Sequence, residues 1–153
     1  MAWTTPRDWT DGELVTEALL DTHVRDNLLA LTTWTSYTPT WTTGTVGNGT
    51  LVGRYLQAGG LCHFSARLVY GSTTSSSSVG WTFSLPVTSA GDAAASAFIL
   101  NDGVTYYTGV AHIAAGATNF HIVTHASATA IGYNAPFAWA TNDFLVVSGT
   151  YEI

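Results

Sequence analysis

The 153-residue chain contains no lysine, and its charged residues are few. Asp, Glu, Lys and Arg make up 9% of it, against about 25% in an ordinary soluble domain. All four cations are arginines and the net charge is −6, so the clustered cations that bind a nucleic-acid backbone are missing. A surface this poor in charge must consist of Thr, Ser, Asn and Gly, or be partly covered in an assembly.

Cysteine and long apolar runs are scarce as well. Cys62 is the single cysteine, which excludes an internal disulfide and a multi-cysteine zinc site. Its place in an alternating run predicts a small core residue. No window reaches the roughly 18 apolar residues of a membrane helix, and the first residues do not follow the pattern of a secretory signal. We therefore expect no nucleic-acid partner, no membrane insertion and one domain with an appendage.

Recognisable catalytic motifs are missing too. There is no G-x-S-x-G turn, no G-x-x-x-x-G-K-[ST] loop and no H-E-x-x-H helix. His121 and His125 would lie about 13 Å apart on one strand, too far to share a metal, and a tight turn at Ala115-Gly116 would set His112 on the other face. We expect no enzymatic activity, no cofactor and no metal within one chain, while an axial site in a trimer, built from His63, His121 or His125, stays open.

The carboxylates of the C-terminal part offer no acid–base pair either. Most of them stand beside Gly or Asn, which is typical of turns. The four are Asp92, Asp102, Asp143 and Glu152.

The acidic residues gather at the N-terminus. Residues 1–31 hold six carboxylates and two arginines, whereas residues 32–153 hold four and two, so we place a boundary near 32–34. Leu20, Val24, Leu28 and Leu31 recur at helical spacing and predict a helix over about 17–31, with Thr16 as its N-cap. A helix this short is marginal alone. Its apolar stripe must therefore pack, either on its own domain or on sister helices or a host surface.

The remainder of the chain predicts strands. Alternation in LCHFSARLVY (61–70) and GWTFSLP (80–86) is typical of half-buried strands, and STTSSSS (72–78) of a surface loop. Turns are predicted at Gly47-Asn48-Gly49, Asn101-Asp102-Gly103 and Ala115-Gly116. Their spacing predicts a mainly β fold, an antiparallel β-sandwich or jelly roll over 34–153 preceded by an anchor segment over 1–33. Trp34 and Trp41 are expected to plug the start of the sandwich.

These segments together resemble a known group of proteins. AWTTPRDWTDGELVTEALLDTHVRDNLLAL (2–31) resembles an N-terminal segment common in virion proteins of actinobacterial phages. The shared motifs are Trp-Thr-x-Pro-Arg at 3–7, Gly-Glu-x-Val-Thr at 12–16 and Thr-His-x-Arg-Asn/Asp-Asn-Leu at 22–28. PTW (39–41), GNGTLVGRY (47–55) and WTFSLP (81–86) are similar to the β-module of phage fibre and minor structural proteins. The likeness covers most of residues 1–90.

The resemblance implies a non-enzymatic structural protein on the virion exterior, assembled in the host cytoplasm. Such modules are commonly homotrimers with jelly-roll heads related to those of tumour-necrosis-factor-like proteins. The chain would decorate and stabilise the capsid or form a short tail appendage, as a minor tail or fibre protein, in contact with itself and with other virion proteins. The residues expected to assemble and anchor it are Trp3, Pro6, Trp9, Leu20, Val24, Leu28 and Leu31.

A carbohydrate-binding fibre module that contacts a host-surface glycan is the alternative. Exposed aromatic side chains stack on sugar rings, and Tyr106, Tyr107 and Trp139 are the candidate contacts, with Trp81 a further one. Alternation instead predicts Trp81 in the core and sets Tyr106 and Tyr107 on opposite sides of one strand.

Overall fold

The computed structural model describes residues 3–77, 80–126 and 130–153, and its N-terminal helix runs from Glu17 to Ala30. The helix consists of α1 (Glu17–Leu20), a π-helical turn (Asp21–Arg25) and α2 (Asp26–Ala30). The Thr16 hydroxyl accepts a hydrogen bond from the Leu19 amide at 3.4 Å, which caps the first turn. Arg25 pairs with Asp21 one turn away at 2.6 Å. The predicted helix is confirmed.

Ten strands follow within the described ranges, each antiparallel to its neighbours. They are β1 (Thr35–Tyr37), β2 (Gly44–Thr45), β3 (Thr50–Ala58), β4 (Leu61–Val69), β5 (Ser75–Ser76), β6 (Thr82–Ser84), β7 (Ala93–Asn101), β8 (Thr105–Ile113), β9 (Asn119–Thr124) and β10 (Phe144–Glu152).

Eight of these strands form one curled sheet, in the order β1-β3-β4-β10-β7-β8-β9-β6, while β2 pairs with β5. Residues 40–42, which continue from β1, bind the opposite end of the sheet. The Thr42 amide donates to the Thr82 carbonyl at 3.1 Å, and the Ser84 amide donates to the Thr40 carbonyl at 2.9 Å. The stretch 35–42 therefore contacts both ends of the sheet and closes the curl.

The concave side of the sheet encloses an aromatic core. Alternate residues of β4, β7 and β10 are buried, because successive side chains of a strand point to opposite faces. At one end the ring of Trp41 lies 4.7 Å from Trp81 and 5.7 Å from Phe83. The predictions that Cys62 and Trp81 belong to the core are confirmed, since both are fully buried.

The predicted turns lie where the sequence places them, and two of them connect hairpins. Gly47 precedes β3 with a φ of 58°, and Gly103 and Gly116 each have a φ of 72° in the β7–β8 and β8–β9 turns. This left-handed conformation favours glycine, which has no Cβ to clash with the backbone.

The mainly β, antiparallel architecture with one N-terminal helix is confirmed, and the curled sheet is consistent with the predicted sandwich. The division between 1–33 and 34–153 stays a prediction. Of the loop predicted at 72–78, residues 75–76 form β5, and Ser78 lies outside the described residues.

The two tryptophans near the start of the sheet have different places. Trp41 is buried, with 6% exposure, as a plug should be. The same expectation for Trp34 is wrong, because it is 38% exposed on the convex, outer face of the sheet. His63, 5.2 Å away, and the Arg54 guanidinium, 4.7 Å from the ring centroid, are its packing partners there.

Candidate association site

The anchor segment folds back on its own helix through one buried amide. The Asn27 side chain, 5% exposed, donates to the Thr4 carbonyl at 2.8 Å and to the His23 carbonyl at 3.1 Å. Its Oδ1 accepts a hydrogen bond from the Thr4 amide at 2.9 Å. These three bonds hold residues near Thr4 in an extended strip alongside the helix.

A shallow apolar groove lies between this strip and the helix. It is lined by Trp3, Pro6, His23, Val24, Asn27, Leu28 and Leu31. Five of the seven residues predicted to anchor the chain therefore meet in one place. Sequence periodicity alone groups the three helical members, whereas Trp3 and Pro6 reach the groove only because Asn27 fastens the strip.

The other two predicted anchor residues border the groove without lining it. Leu20 is 47% exposed on the helix. Trp9 is 43% exposed, with its ring edge-on to His23 at 6.4 Å and under the Arg7 guanidinium at 5.1 Å. Arg7 also pairs with Glu13, so the segment preceding the helix is ordered by local contacts of its own.

The apolar stripe of the helix is about half exposed to solvent. Leu20, Val24, Leu28 and Leu31 are 47%, 46%, 60% and 44% exposed. Further exposed apolar side chains of the same segment are Leu14, Val15 and Leu29. The helical face that does pack inward carries Asn27 and Ala30 instead. This arrangement can bind an apolar partner surface.

Asn27 and His23 are groove residues that sequence periodicity does not select. The available signal is weak: asparagine is unfavourable inside a helix unless its side chain finds a partner. A helical Asn beside an apolar stripe therefore indicates a buried side chain that is hydrogen-bonded to another segment. The sequence pattern does not identify that segment.

The three candidate glycan contacts have different surroundings. Tyr106 is 69% exposed. Tyr107 is half-buried on the other side of β8, stacked on Phe137 at 5.3 Å. The expectation for Trp139 is wrong, because it is 4% exposed and packs 4.8 Å from Trp81. Its loop folds over the open end of the core, so an aromatic residue there fills the interior.

The histidine geometry also differs from expectation. His112 lies directly opposite His121 in the register, with ring centroids 5.1 Å apart. Residues paired across antiparallel strands point to the same face of the sheet, so this register sets both rings on one side. Within the described ranges, no three His, Cys, Asp or Glu side chains are grouped so that they could hold a metal ion.

The carboxylates at turns stabilise loops. Asp143, 2% exposed, accepts bonds from the amides of Asp102 at 2.8 Å and Ala140 at 2.6 Å. Asp92 accepts a hydrogen bond from the Ala115 amide at 2.9 Å.

Burial raises the pKa of the Cys62 thiol, which keeps it protonated and poorly nucleophilic.

Comparison with known proteins identifies no relative. No family model matches the chain, and no curated protein or solved structure matches it either. Within the part of the chain that the structure describes, no helix is both long and apolar enough to cross a membrane.

Proposed function

We propose that the chain is a non-enzymatic structural protein that works by association, with the anchor segment 1–33 as its assembly element. The observation that carries this proposal is the half-exposed apolar stripe of Leu20, Val24, Leu28 and Leu31, three of which share a groove with Trp3 and Pro6. The β-sheet part has its own complete core. The anchor segment is thus not needed to cover that core, and its apolar face is free for a partner.

The energetics favour an apolar, symmetric partner. Covering a half-exposed aliphatic side chain contributes about 1 kcal/mol, so the four stripe residues contribute about 4 kcal/mol per helix. Association costs at least about 4 kcal/mol in lost translational and rotational freedom. One stripe on a polar surface therefore gains little, whereas several identical stripes packed together in a closed oligomer gain several times as much.

We place this protein on the virion exterior, as a homotrimer in contact with other virion proteins. Support comes from the resemblance of residues 2–31 and of the motifs at 39–41, 47–55 and 81–86 to phage virion proteins, together with the charge-poor surface. The two locations consistent with it are the capsid, which the protein would decorate and stabilise, and the tail, where it would be a short appendage. A carbohydrate-binding fibre module is the second candidate, favoured by the exposed Tyr106.

Sedimentation velocity tests association through the helix. We expect the unmodified chain to sediment as an oligomer and Val24→Asp to sediment as the 16.2 kDa chain, because a carboxylate in the packed stripe would be buried without a partner. Thr22→Asp is the matched control, since Thr22 is exposed on another side of the same helix. A monomeric unmodified chain, or an oligomer unaffected by Val24→Asp, would refute the assembly role.

A protein inventory of purified virions tests the location. Hundreds of copies per particle indicate capsid decoration and a few copies indicate the tail. Absence from the particle contradicts the virion proposal, whatever the oligomeric state.

A further inference from the structure

The outer face of the sheet carries two arginines without carboxylate partners. Within the described ranges, the ion pairs involve only Arg7 and Arg25, both in the anchor segment. Arg54 on β3 and Arg67 on β4 remain unpaired, although the chain has ten carboxylates for four arginines. Arg67 lies opposite Val52, two residues from Arg54, so the two side chains are diagonal neighbours on one face.

Each of these guanidinium groups lies over an aromatic ring. Arg54 lies 4.7 Å from the centroid of Trp34, and Arg67 lies 5.1 Å from that of Phe144. A guanidinium that is stacked on a ring keeps its N–H donors directed outward in the plane of the group. Such a fork matches the two oxygens of a carboxylate. Because neither arginine has an ion pair among the described residues, each has N–H donors available for an anionic ligand.

A concavity lies between the two arginines. Ser36, Ser65, Val52 and Val146 line it together with Arg54 and Arg67, and its volume is about 370 Å³, within the usual range of about 300–1,000 Å³ for small-molecule sites. Ser36 and Ser65 flank Arg54 directly in the register. Its lining therefore combines hydroxyl groups, aliphatic surface and positive charge.

Exposed aromatic rings extend this surface across the sheet. Phe144 lies 5.9 Å from Phe98, and Phe98 lies 5.6 Å from Tyr106. Phe98 is 40% and Tyr106 is 69% exposed. A continuous path thus leads from Arg67 over Phe144 and Phe98 to Tyr106, and it offers apolar ring faces next to the cationic concavity.

We propose that this outer face binds a linear, carboxylate-bearing saccharide, a site distinct from the assembly groove. A uronate carboxylate would accept hydrogen bonds from Arg54 or Arg67, sugar hydroxyls would bond to Ser36 and Ser65, and the C–H faces of following sugar units would pack on Phe98 and Tyr106. An extended peptide binds best along the backbone of a sheet edge, whereas this surface crosses the strands on a face. Two cations are too few for a nucleic-acid backbone.

Calorimetry on the full chain with galacturonate and glucuronate oligomers tests the proposal, with maltotriose as the neutral saccharide. We expect the acidic oligomers to bind and maltotriose to bind weakly or not at all. Arg54→Gln and Arg67→Gln should each lower the affinity by about tenfold or more, since each removes a charge-assisted hydrogen bond. Tyr106→Ala should also weaken binding. Arg7→Gln is the matched control with the same change in charge and should bind as the unmodified chain does.

Three binding outcomes would overturn this assignment, in addition to the sedimentation result given below. They are no binding of either acidic oligomer at millimolar concentration, equal binding of maltotriose, and equal binding of an oligo-aspartate peptide. Sedimentation separates this site from the assembly role: Arg67→Gln should leave the oligomer intact, and Val24→Asp should leave saccharide binding intact. An oligomer that dissociates on Arg67→Gln would identify the outer face as an interface between copies and would refute the saccharide site.

Discussion

Two tyrosines with buried hydroxyl groups, Tyr37 and Tyr151, show how the same group can be stabilising or costly according to its partners. The Tyr151 hydroxyl donates to the Val87 carbonyl at 2.8 Å and accepts from the Val87 amide at 3.3 Å. The buried Tyr37 hydroxyl has no hydrogen-bond partner among the described residues. Burial raises the pKa of both phenols, so both are neutral at physiological pH. A buried hydroxyl without a partner destabilises the folded state, whereas a paired one does not.

Replacing each tyrosine with phenylalanine should therefore have opposite effects. Tyr37→Phe removes an unpaired polar group, and we expect the free energy of unfolding to stay the same or rise by up to about 1 kcal/mol. Tyr151→Phe leaves the Val87 backbone groups unpaired and should lower it by about 1–2 kcal/mol. Urea denaturation of both variants measures the difference. An equal loss in the two variants would show that the Tyr37 hydroxyl has a partner after all.

For single residues, the sequence predicts burial well within strands, where apolar and polar side chains alternate, and poorly within loops. Cys62 and Trp81 were correctly placed in the core because their neighbours alternate in polarity. Trp139 lies in a loop between β9 and β10, where no periodicity indicates which side chain faces inward. Trp34 precedes the first residue of β1, so alternation does not apply to it, and its outward position depends on Arg54 and His63 from other strands.

Among the elements, the N-terminal helix depends on a contact that its sequence pattern does not show. The spacing of Leu20, Val24, Leu28 and Leu31 predicts the helix and its apolar stripe. The strip around Thr4, which completes the groove, is fixed by hydrogen bonds to Asn27, 23 residues along the chain. The stripe was thus predictable, whereas the groove was not.

Asn27→Ala should release this strip. Three hydrogen bonds are lost, at about 1 kcal/mol each, so we expect the Thr4 amide to lose its protection in hydrogen exchange. The thermal unfolding temperature of the β-sheet should remain unchanged, because its core does not include the anchor segment. The exposed Asn134→Ala is the control. Retained protection of Thr4 in Asn27→Ala would contradict the role given to this amide.

Hairpins were the most predictable of the β elements. Asn101-Asp102-Gly103 connects β7 and β8 as its residue types indicate, since the signal for a hairpin turn is local. The predicted orientation of the His112 and His121 side chains was wrong. Their orientation depends on the number of residues in the turn, and the residue types Ala115-Gly116 do not fix that number. Local residue types thus predict that a turn exists, and they predict register less well.

The architecture of the whole molecule rests on pairings between distant segments. β10 lies between β4 and β7, and residues 40–42 bond to β6. Neither arrangement has a sequence signal, because many strand orders satisfy the same alternation of apolar and polar residues. The fold class was therefore predictable and the strand order was not.

Trp41 should be the residue on which closure of the sheet depends most. Trp41→Ala leaves a large cavity beside Trp81 and Phe83 where residues 40–42 meet β6, and we expect a loss of about 3–5 kcal/mol. Trp34→Ala, on the outer face, should cost about 1 kcal/mol, the value of an exposed cation–π contact. Chemical denaturation followed by circular dichroism compares them. Similar losses in both would argue against the closing role of residues 35–42.

The central position of β10 has a consequence for biosynthesis. On the ribosome, β4 and β7 are translated long before Phe144–Glu152, the strand that both of them flank. Until that segment leaves the exit tunnel, the nascent chain has two unsatisfied strand edges, and such edges readily pair with other chains. Pairing of β4 and β7 with β10 is therefore a late step in the formation of this sheet, and we expect a chain truncated before residue 144 to aggregate more readily than the full chain.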